Sequence, residues 1–455
     1  MKEYNQLVAN QRSFFRSEAT KSIDFRVEQL KKLKSVLQKN EAFLMEAIHL
    51  DFQKSEFDTY TNELGLVYSD INEAIKKIKR WSKTKRVCTN LMNFPAKSYI
   101  IPEPLGVSLV IGAWNYPYQL AFAPVVAAIT AGCTVILKPS ELPSNTSRAM
   151  AKIVNENFNE NYFTVVEGGI PETTSILEQK FDKIFFTGSS KVGKIVYQAA
   201  AKHLTPVTLE LGGKSPAFVT ESCHIKMTAK RLVWAKFLNA GQTCIAPDYF
   251  FVHRSIKKEF IAAVIVEIQR SAFSLENGNY VQIVNEQNVN RLVQMIDPSK
   301  VIFGGKYDVT KRLIEPTIID NVSFDDAIMQ EEIFGPLLPI IEYEDISQAI
   351  NYVKQGEKPL SCYVFTSNSA IKNRILKEIS FGGGGVNEAI MHITTSNLPF
   401  GGVGASGMGS YHGEAGFKAF SHFKSIMDKP TWMELNLKYS PRTAGKLNLI
   451  KKILS

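Results

Sequence analysis

The sequence predicts an α/β protein built around parallel sheets, and three observations predict it. Short apolar runs such as Val107–Ile111, broken only by Ser108, alternate with helix-like segments, which is how strands buried on both faces read. The stretch before them, residues 1–80, carries helical periodicity and no proline. A second alternating stretch runs from about Lys214 to Ser396, with four consecutive glycines at Gly382–Gly385.

The elements follow in order. Val27, Leu30, Leu33 and Leu37 recur on one face among lysines, as an amphipathic helix requires. From Lys97 to Glu103 the pattern turns extended and is closed by Pro102 and Pro104. Strands are then expected at Val107–Ile111, Thr134–Leu137, Phe163–Val166, Ile184–Phe186 and Val207–Leu211. Helices are expected at Pro117–Ala131, at Ser144–Asn157 with Ser144 as N-cap, and at Lys191–Ala201. Strands alternating with helices make βαβ units, whose sheets bind nucleotides at the carboxyl ends of the strands. Further on, helices are expected at Ala229–Leu238 and Lys257–Arg270, and strands at Tyr363–Thr366 and Val386–Asn387.

The chain has 455 residues, enough for two or three domains at roughly 150 residues each. With 45% hydrophobic and 21% charged residues it is globular, which excludes disordered and collagen-like chains. The net charge of +9 is spread along the chain. A solvated surface accounts for it, and no nucleic-acid partner is expected. Cys88, Cys133, Cys223, Cys244 and Cys362 are widely spaced and form no CxxC pair. Neither a disulfide framework nor a metal site is therefore expected. The N-terminus lacks a charged-then-apolar signal pattern, and the longest low-polarity run, Pro124–Leu137, falls short of a membrane span. The expectation is a cytoplasmic, reducing compartment.

Five segments carry candidate chemistry, each with a plainer reading beside it. In Thr187-Gly188-Ser189-Ser190-Lys191-Val192-Gly193-Lys194 a strand, a glycine loop and a helix start follow one another. This is either a phosphate site at a helix N-terminus or a structural turn. A Walker A loop is disfavoured, because Ile195 stands where Ser or Thr must ligate Mg²⁺. Cys244, in Asn239-Ala240-Gly241-Gln242-Thr243-Cys244, is either a nucleophile in a polar loop or buried packing. Glu210, at a strand end before Gly212 and Gly213, is either a general base with a raised pKa or a carboxylate paired to Lys214. Asn115, in Trp114-Asn115-Tyr116-Pro117, either donates to an oxyanion or caps the next helix. Glu331 and Glu332, before Ile333-Phe334-Gly335-Pro336, suit a turn or ribose hydroxyls; no histidine stands near to complete a metal set.

Read together, these segments resemble the aldehyde dehydrogenases along nearly the whole chain. Pro104-Leu105-Gly106-Val107, Trp114-Asn115-Tyr116-Pro117, Lys138-Pro139-Ser140-Glu141 and Phe186-Thr187-Gly188-Ser189 match that family. So do Glu210-Leu211-Gly212-Gly213-Lys214, Gly241-Gln242-Thr243-Cys244, Glu332-Ile333-Phe334-Gly335-Pro336 and Pro399-Phe400-Gly401-Gly402, in family order and spacing. Ser410-Tyr411-His412-Gly413 and Phe420-Ser421-His422 resemble the class 3 branch, which handles fatty and aromatic aldehydes and is usually dimeric. More loosely, the chain is similar to bacterial members acting on carotenoid (diaponeurosporenal-type) aldehydes. Thr243 and Ile245 flank the cysteine where other branches often carry Cys.

The resemblance implies roles. Cys244 is the implied nucleophile, forming a thiohemiacetal and then a thioester. Asn115 and the Cys244 N–H hold the oxyanion, and Glu210 activates the hydrolytic water. NAD, with NADP as an alternative, is held by Lys138 and Glu141 at the adenosine ribose, and by Glu332 and Phe334 at the nicotinamide end. Gly188, Ser189, Val192, Gly193 and Leu211 lie around the pyrophosphate loop. Glu141 favours a ribose 2′-hydroxyl over a 2′-phosphate on charge. The implied fold has a Rossmann-like cofactor domain (residues 1–81 and 102–209), an α/β catalytic domain (210–396) and a small β oligomerisation part (82–101 and 397–430).

The tail, residues 431–455, is basic and amphipathic, with Leu447, Ile450 and Leu454 at helical spacing. It either packs on the body or a dimer mate, or lies peripherally on the inner face of the membrane. Three rival functions stand beside the dehydrogenase. A CoA-acylating relative is disfavoured by Glu210, a non-catalytic dimeric binding protein by the intact residue set, and a P-loop nucleotidase by Ile195.

Overall fold

Helices Lys2–Arg16, Ile23–Lys39, Glu41–Phe52 and Gly65–Trp81 occupy the N-terminal region in the computed structural model, which describes residues 2–454. Leu30, Leu33 and Leu37 are fully buried, so the apolar stripe faces the body as its periodicity requires.

The first sheet has six strands: Gly407–Met408, Val207–Glu210, Lys183–Thr187, Val107–Ile111, Thr134–Lys138 and Phe163–Val165, in that spatial order. All neighbours pair in parallel except Gly407–Met408. The chain starts at Val107, winds outward to Phe163, and then returns to the other side through Lys183. Strand order therefore reverses between Val107–Ile111 and Lys183–Thr187, where a parallel sheet opens a ligand crevice.

A second sheet of seven strands runs Val301–Phe303, Thr317–Ile319, Leu337–Tyr343, Tyr249–His253, Pro216–Val219, Ser361–Phe365 and Gly383–Val386. The glycine cluster becomes a strand by pairing in parallel with Ser361–Phe365, and the Cys362 carbonyl lies where a Cβ of Gly384 would go. Only five residues separate Glu210, at the end of one sheet, from Pro216, at the start of the next. A third, antiparallel sheet joins Lys85–Val87, Lys97–Pro104 and Ser421–Asp428.

Two expectations shift. Ser144 is not the N-cap of its helix; it is the first helical residue, and the cap position is Pro143, which supplies no side-chain bond. The cap comes from far away in sequence. Asp51 accepts from the N–H groups of Asn145 (3.2 Å) and Thr146 (2.8 Å). The strand expected at Val386–Asn387 ends at Val386, and the Asn387 side chain instead bonds the Thr366 backbone in both directions, at 2.9 Å each.

Among the described residues no helix is long and apolar enough to cross a membrane. The tail forms a helix at Ala444–Leu454 with no buried residue.

Candidate active site

The helix Ile225–Phe237 ends in a break. Asn239, Ala240 and Gly241 follow with φ of 54°, 53° and 74°, three successive residues in the left-handed region. Two of them carry side chains, a strain that persists only where the surroundings impose it. Gly241 admits no Cβ, because the Gly335 carbonyl occupies that space. Gln242 staples the turn: its Nε2 donates to the carbonyls of Asn239 and Gln282, both at 3.1 Å, and its Oε1 accepts from Val284 N–H at 2.9 Å. The strained turn delivers Cys244 to an apolar cleft of about 360 Å³, walled by Phe57, Leu120, Trp234, Leu238, Ile390 and Phe400. Cys244 is thus a cleft residue, not core packing.

Asn115 does not cap the following helix, whose cap position is Tyr116, again without a side-chain bond. The Asn115 Nδ2 donates to the Gln242 carbonyl at 3.0 Å, and Asn239 Nδ2 donates to the Asn115 carbonyl at 3.0 Å. The amide therefore stands over the residues that precede Cys244, with a second N–H left to give.

Glu210 is not paired to Lys214. Lys214 Nζ goes to Asp248 at 2.6 Å, while both oxygens of the buried Glu210 carboxylate have no hydrogen-bond partner. Burial holds its pKa well above the usual carboxylate range. The Cys244 thiol is pushed up to about 12 by burial, with the negative charges of Glu332 and Glu210 adding to it. Glu332 itself is raised to about 8 by burial and by Asp248. Cysteine and both carboxylates therefore share one electrostatic neighbourhood, in which any one charge raises the cost of the next.

The Glu332 loop is clamped by Lys214 and by two residues that the sequence motifs did not single out, Asp248 and Arg291. Asp248 accepts from Ile333 N–H at 3.0 Å, Lys214 also donates to the carbonyls of Ile328 and Glu331 at 2.9 Å, and Arg291 donates to Ile333 O at 2.7 Å. Glu332 fills the space that a Cβ on Gly212 would take. Phe334 has φ 50°, and its ring meets Trp114 edge-on at 5.3 Å. No local pattern marks Asp248 or Arg291, because their partners lie 85 and 42 residues away.

The other predicted binding residues line the crevice end of the first sheet. Ser189 caps the helix Ser190–Ala201 by accepting from Val192 N–H. Gly188 N–H donates to the Glu210 carbonyl at 3.0 Å. A Cβ on Gly193 would come within 2.6 Å of Leu211, so glycine lets this helix start approach the strand end. Val192 at the helix start is exposed. Lys138 is buried, donates to the Pro139 carbonyl at 2.6 Å and stands 3.9 Å from the half-exposed Glu141. Burial lowers the lysine's pKa. Lys138 ends the strand Thr134–Lys138, beyond Val107–Ile111, and Glu141 lies in the bend that follows it. A second cleft of about 580 Å³, bordered by Ser190, Leu211, Gly212, Lys214, Glu332 and Ala405, continues along the sheet end. An ammonium with spare donors, a carboxylate and a capped helix start are a fitting donor set for ribose hydroxyls and a pyrophosphate.

Residues 1–426 match the Aldehyde dehydrogenase family. The chain is 46% identical over 444 residues to a 4,4'-diaponeurosporen-aldehyde dehydrogenase of Staphylococcus aureus, covering 97% of this chain and 96% of that protein. It is 41% identical over 431 residues to an "Aldehyde dehydrogenase, dimeric NADP-preferring" of Rattus norvegicus, covering 94% of this chain and 95% of that one. Its structure superposes on a substrate-bound state of Staphylococcus aureus AldH with a TM-score of 0.96 at 45% identity, covering 99% of each chain.

Proposed function

This chain belongs to the aldehyde dehydrogenase family, has that family's α/β fold and oxidises aldehydes to acids with NAD or NADP; on that premise we propose that its substrates are long-chain, aromatic or terpenoid aldehydes, and that Cys244, Glu210 and Asn115 carry the reaction. The observation that supports the substrate class is the cleft. Most of its lining beside Cys244 is aliphatic and aromatic, with Asp58, Thr61, Asn62 and Gln119 on its border, so an apolar chain is desolvated along much of its length while the aldehyde group reaches the sulfur.

In this reading Cys244 Sγ attacks the aldehyde carbon. A thiol held up to about 12 is protonated at rest. Attack therefore hands its proton to a neighbouring carboxylate, and Glu210 and Glu332 are the two whose charges act on it. The second Asn115 N–H and the Cys244 backbone N–H receive the charge that develops on the carbonyl oxygen. A bound nicotinamide supplies the hydride acceptor. The thioester left on Cys244 is opened by water, from which Glu210 draws a proton.

Residues 1–81 and 102–209 serve as the cofactor domain, 210–396 as the catalytic domain, and 82–101 with 397–430 as an oligomerisation part. The six-stranded, seven-stranded and three-stranded sheets support this division. Lys138 and Glu141 hold the adenosine ribose, Gly188, Ser189, Val192, Gly193 and Leu211 border the pyrophosphate, and Glu332 and Phe334 hold the nicotinamide end. Glu141 beside Lys138 favours a 2′-hydroxyl, hence NAD over NADP. The test is kcat/KM over short, aromatic, long-chain and terpenoid aldehydes with each cofactor. Long or aromatic substrates and NAD should prevail, and Glu141→Gln should raise the NADP/NAD ratio by about tenfold, the removal of one repulsive charge. A flat chain-length profile sinks the substrate reading; equal efficiency with both cofactors sinks the Glu141 reading.

The chain acts as a homodimer in the cytoplasm, held by the three-stranded part, where Val87, Leu91, Phe94 and Met427 are exposed. The tail helix touches the inner face of the membrane through the exposed Leu447, Leu449, Ile453 and Leu454, beside Lys451 and Lys452. Each lysine adds about 1 kcal/mol near anionic lipid. A chain ending at Tyr439 should stay dimeric in sedimentation yet lose binding to anionic vesicles at low salt. Equal vesicle binding removes the membrane contact, and a monomeric full-length chain removes the dimer.

A further inference from the structure

Asn115 begins the turn Asn115-Tyr116-Pro117-Tyr118, and an ion pair that water does not reach lies behind that turn. Lys54 Nζ and Glu63 Oε1 are 2.7 Å apart, with side chains only 1% and 0% exposed. Glu63 belongs to a π-helical turn, Tyr60–Leu64, set between the helices Glu56–Thr59 and Gly65–Trp81. Such turns break the regular spacing and cluster at functional sites. Here the turn sends Glu63 inward while Asp58, Thr61 and Asn62 border the substrate cleft.

Each end of the pair grips the Asn115 turn. Glu63 Oε2 accepts from the Tyr118 N–H at 2.8 Å. This is the first turn of the helix Pro117–Ala131, whose own cap residue contributes no side-chain bond. The buried carboxylate is that helix's cap, supplied from another element and favoured by the helix dipole. Lys54 Nζ stands 4.8 Å from the centre of the Tyr116 ring, a cation–π distance. The Tyr116 hydroxyl shares a 2.7 Å hydrogen bond with Thr243 Oγ1, the residue before the cysteine. On the far side Asn239 holds the Asn115 carbonyl. Asn115 is therefore fixed between the strained cysteine turn and the buried pair.

Burying two charges costs several kcal/mol per ion, and well-packed apolar residues usually stabilise as much or more. Stability alone does not account for this pair. We propose that Lys54 and Glu63 are positioning residues for the oxyanion donor: they fix the Asn115-Tyr116 turn so that the Asn115 amide and the Thr243-Cys244 segment meet the aldehyde in one geometry. This rests on the Asn115 role given above. A displacement of about 1 Å at such a donor is enough to cost a large factor in rate.

The test compares Asn115→Ala, Glu63→Gln, the charge-free pair Lys54→Met/Glu63→Leu, and Glu63→Gln combined with Asn115→Ala. For each, kcat, the KM for NAD and the thermal midpoint are measured. Asn115→Ala should lower kcat by roughly 100-fold or more, the worth of one oxyanion donor. Glu63→Gln should lower it about tenfold or more with the NAD KM unchanged. The charge-free pair should keep the thermal midpoint and still lose kcat, and it decides the matter if Glu63→Gln does not fold. The combined variant should be no slower than Asn115→Ala alone, because Glu63 acts through Asn115. If Asn115→Ala leaves kcat intact, the oxyanion reading itself falls. If Asn115→Ala is slow while both Glu63 variants keep kcat, or if the two losses multiply, the positioning role alone falls.

Discussion

Cys244→Ala is expected to lower aldehyde oxidation by a factor on the order of 10⁴ or more while leaving the fold and the cofactor affinity in place. The size follows from the chemistry: without the sulfur no covalent intermediate forms, and the positioned groups around it have nothing to act on. No other cysteine can substitute. Cys244 is the only one of the five on the cleft. Cys88 is exposed elsewhere, and Cys133 and Cys362 are buried, with Cys133 bonded to the Phe420 carbonyl at 3.4 Å. The stability change should be small, because the side chain borders the cleft and removing Sγ widens that cleft instead of opening a core cavity. The measurements are steady-state NADH formation, cofactor titration and thermal unfolding on one preparation. Activity above about a thousandth of wild type would show that another group carries the attack.

Glu210→Gln separates the two halves of the reaction. The first turnover should still release NADH, because the sulfur and the oxyanion donors are in place and Glu332 remains to take the thiol's proton. Later turnovers should slow by roughly 10²–10⁴, the usual worth of a positioned base, since water then meets the thioester unassisted. The signature is a burst of one NADH per active site followed by a slow phase. Loss of the burst as well would place Glu210 in the attack step.

The pH dependence of the slow phase follows from the carboxylate's surroundings. Glu210 acts as a base only when ionised, and burial raises its pKa well above the usual range. Wild-type turnover should therefore rise with pH through that raised value, and Glu210→Gln should flatten this limb. Stability moves in the opposite sense. In the unfolded chain the carboxyl ionises near its ordinary pKa, while the folded site resists. Folding stability is thus lost as pH climbs above the unfolded value, until the folded group also ionises. Glutamine carries no such penalty, so the variant should melt higher than wild type at neutral pH, stability being exchanged for function. A lower melting point would mean that the glutamine leaves its own polar atoms unsatisfied there.

Local patterns were enough for much of the molecule. The largely apolar runs Val107–Ile111 and Thr134–Leu137, and the helix Pro117–Ala131 with proline in its first turn, are written in nearest-neighbour chemistry and appear where it puts them. The weakly marked strands were harder. Pro216–Val219 and Thr317–Ile319 are only four and three residues long, too short for periodicity to declare, and pairing with neighbours is what makes them strands. The cap at Ser144 failed for a related reason. A serine at a helix start satisfies the local rule, but Asp51, brought in by another helix, reached the free N–H groups first.

At the site, motif order and spacing determined by themselves the family, the reaction class and which residue types are offered, since each motif keeps its own chemistry wherever the chain carries it. The tertiary structure decided what those residues do to one another. Lys214 stands beside Glu210 in sequence, yet it pairs with Asp248, 34 residues on, and leaves Glu210 bare. The thiol is raised by burial and further by two carboxylates, 34 residues before it and 88 after, that the fold brings near it. Lys54 and Glu63 reach the Asn115 turn from the N-terminal helices, where nothing in their neighbouring residues foretells a role. The physical reason is common to all three. Burial and charge proximity set the state of an ionisable group, and both are properties of what is brought near it in space, not of its place along the chain.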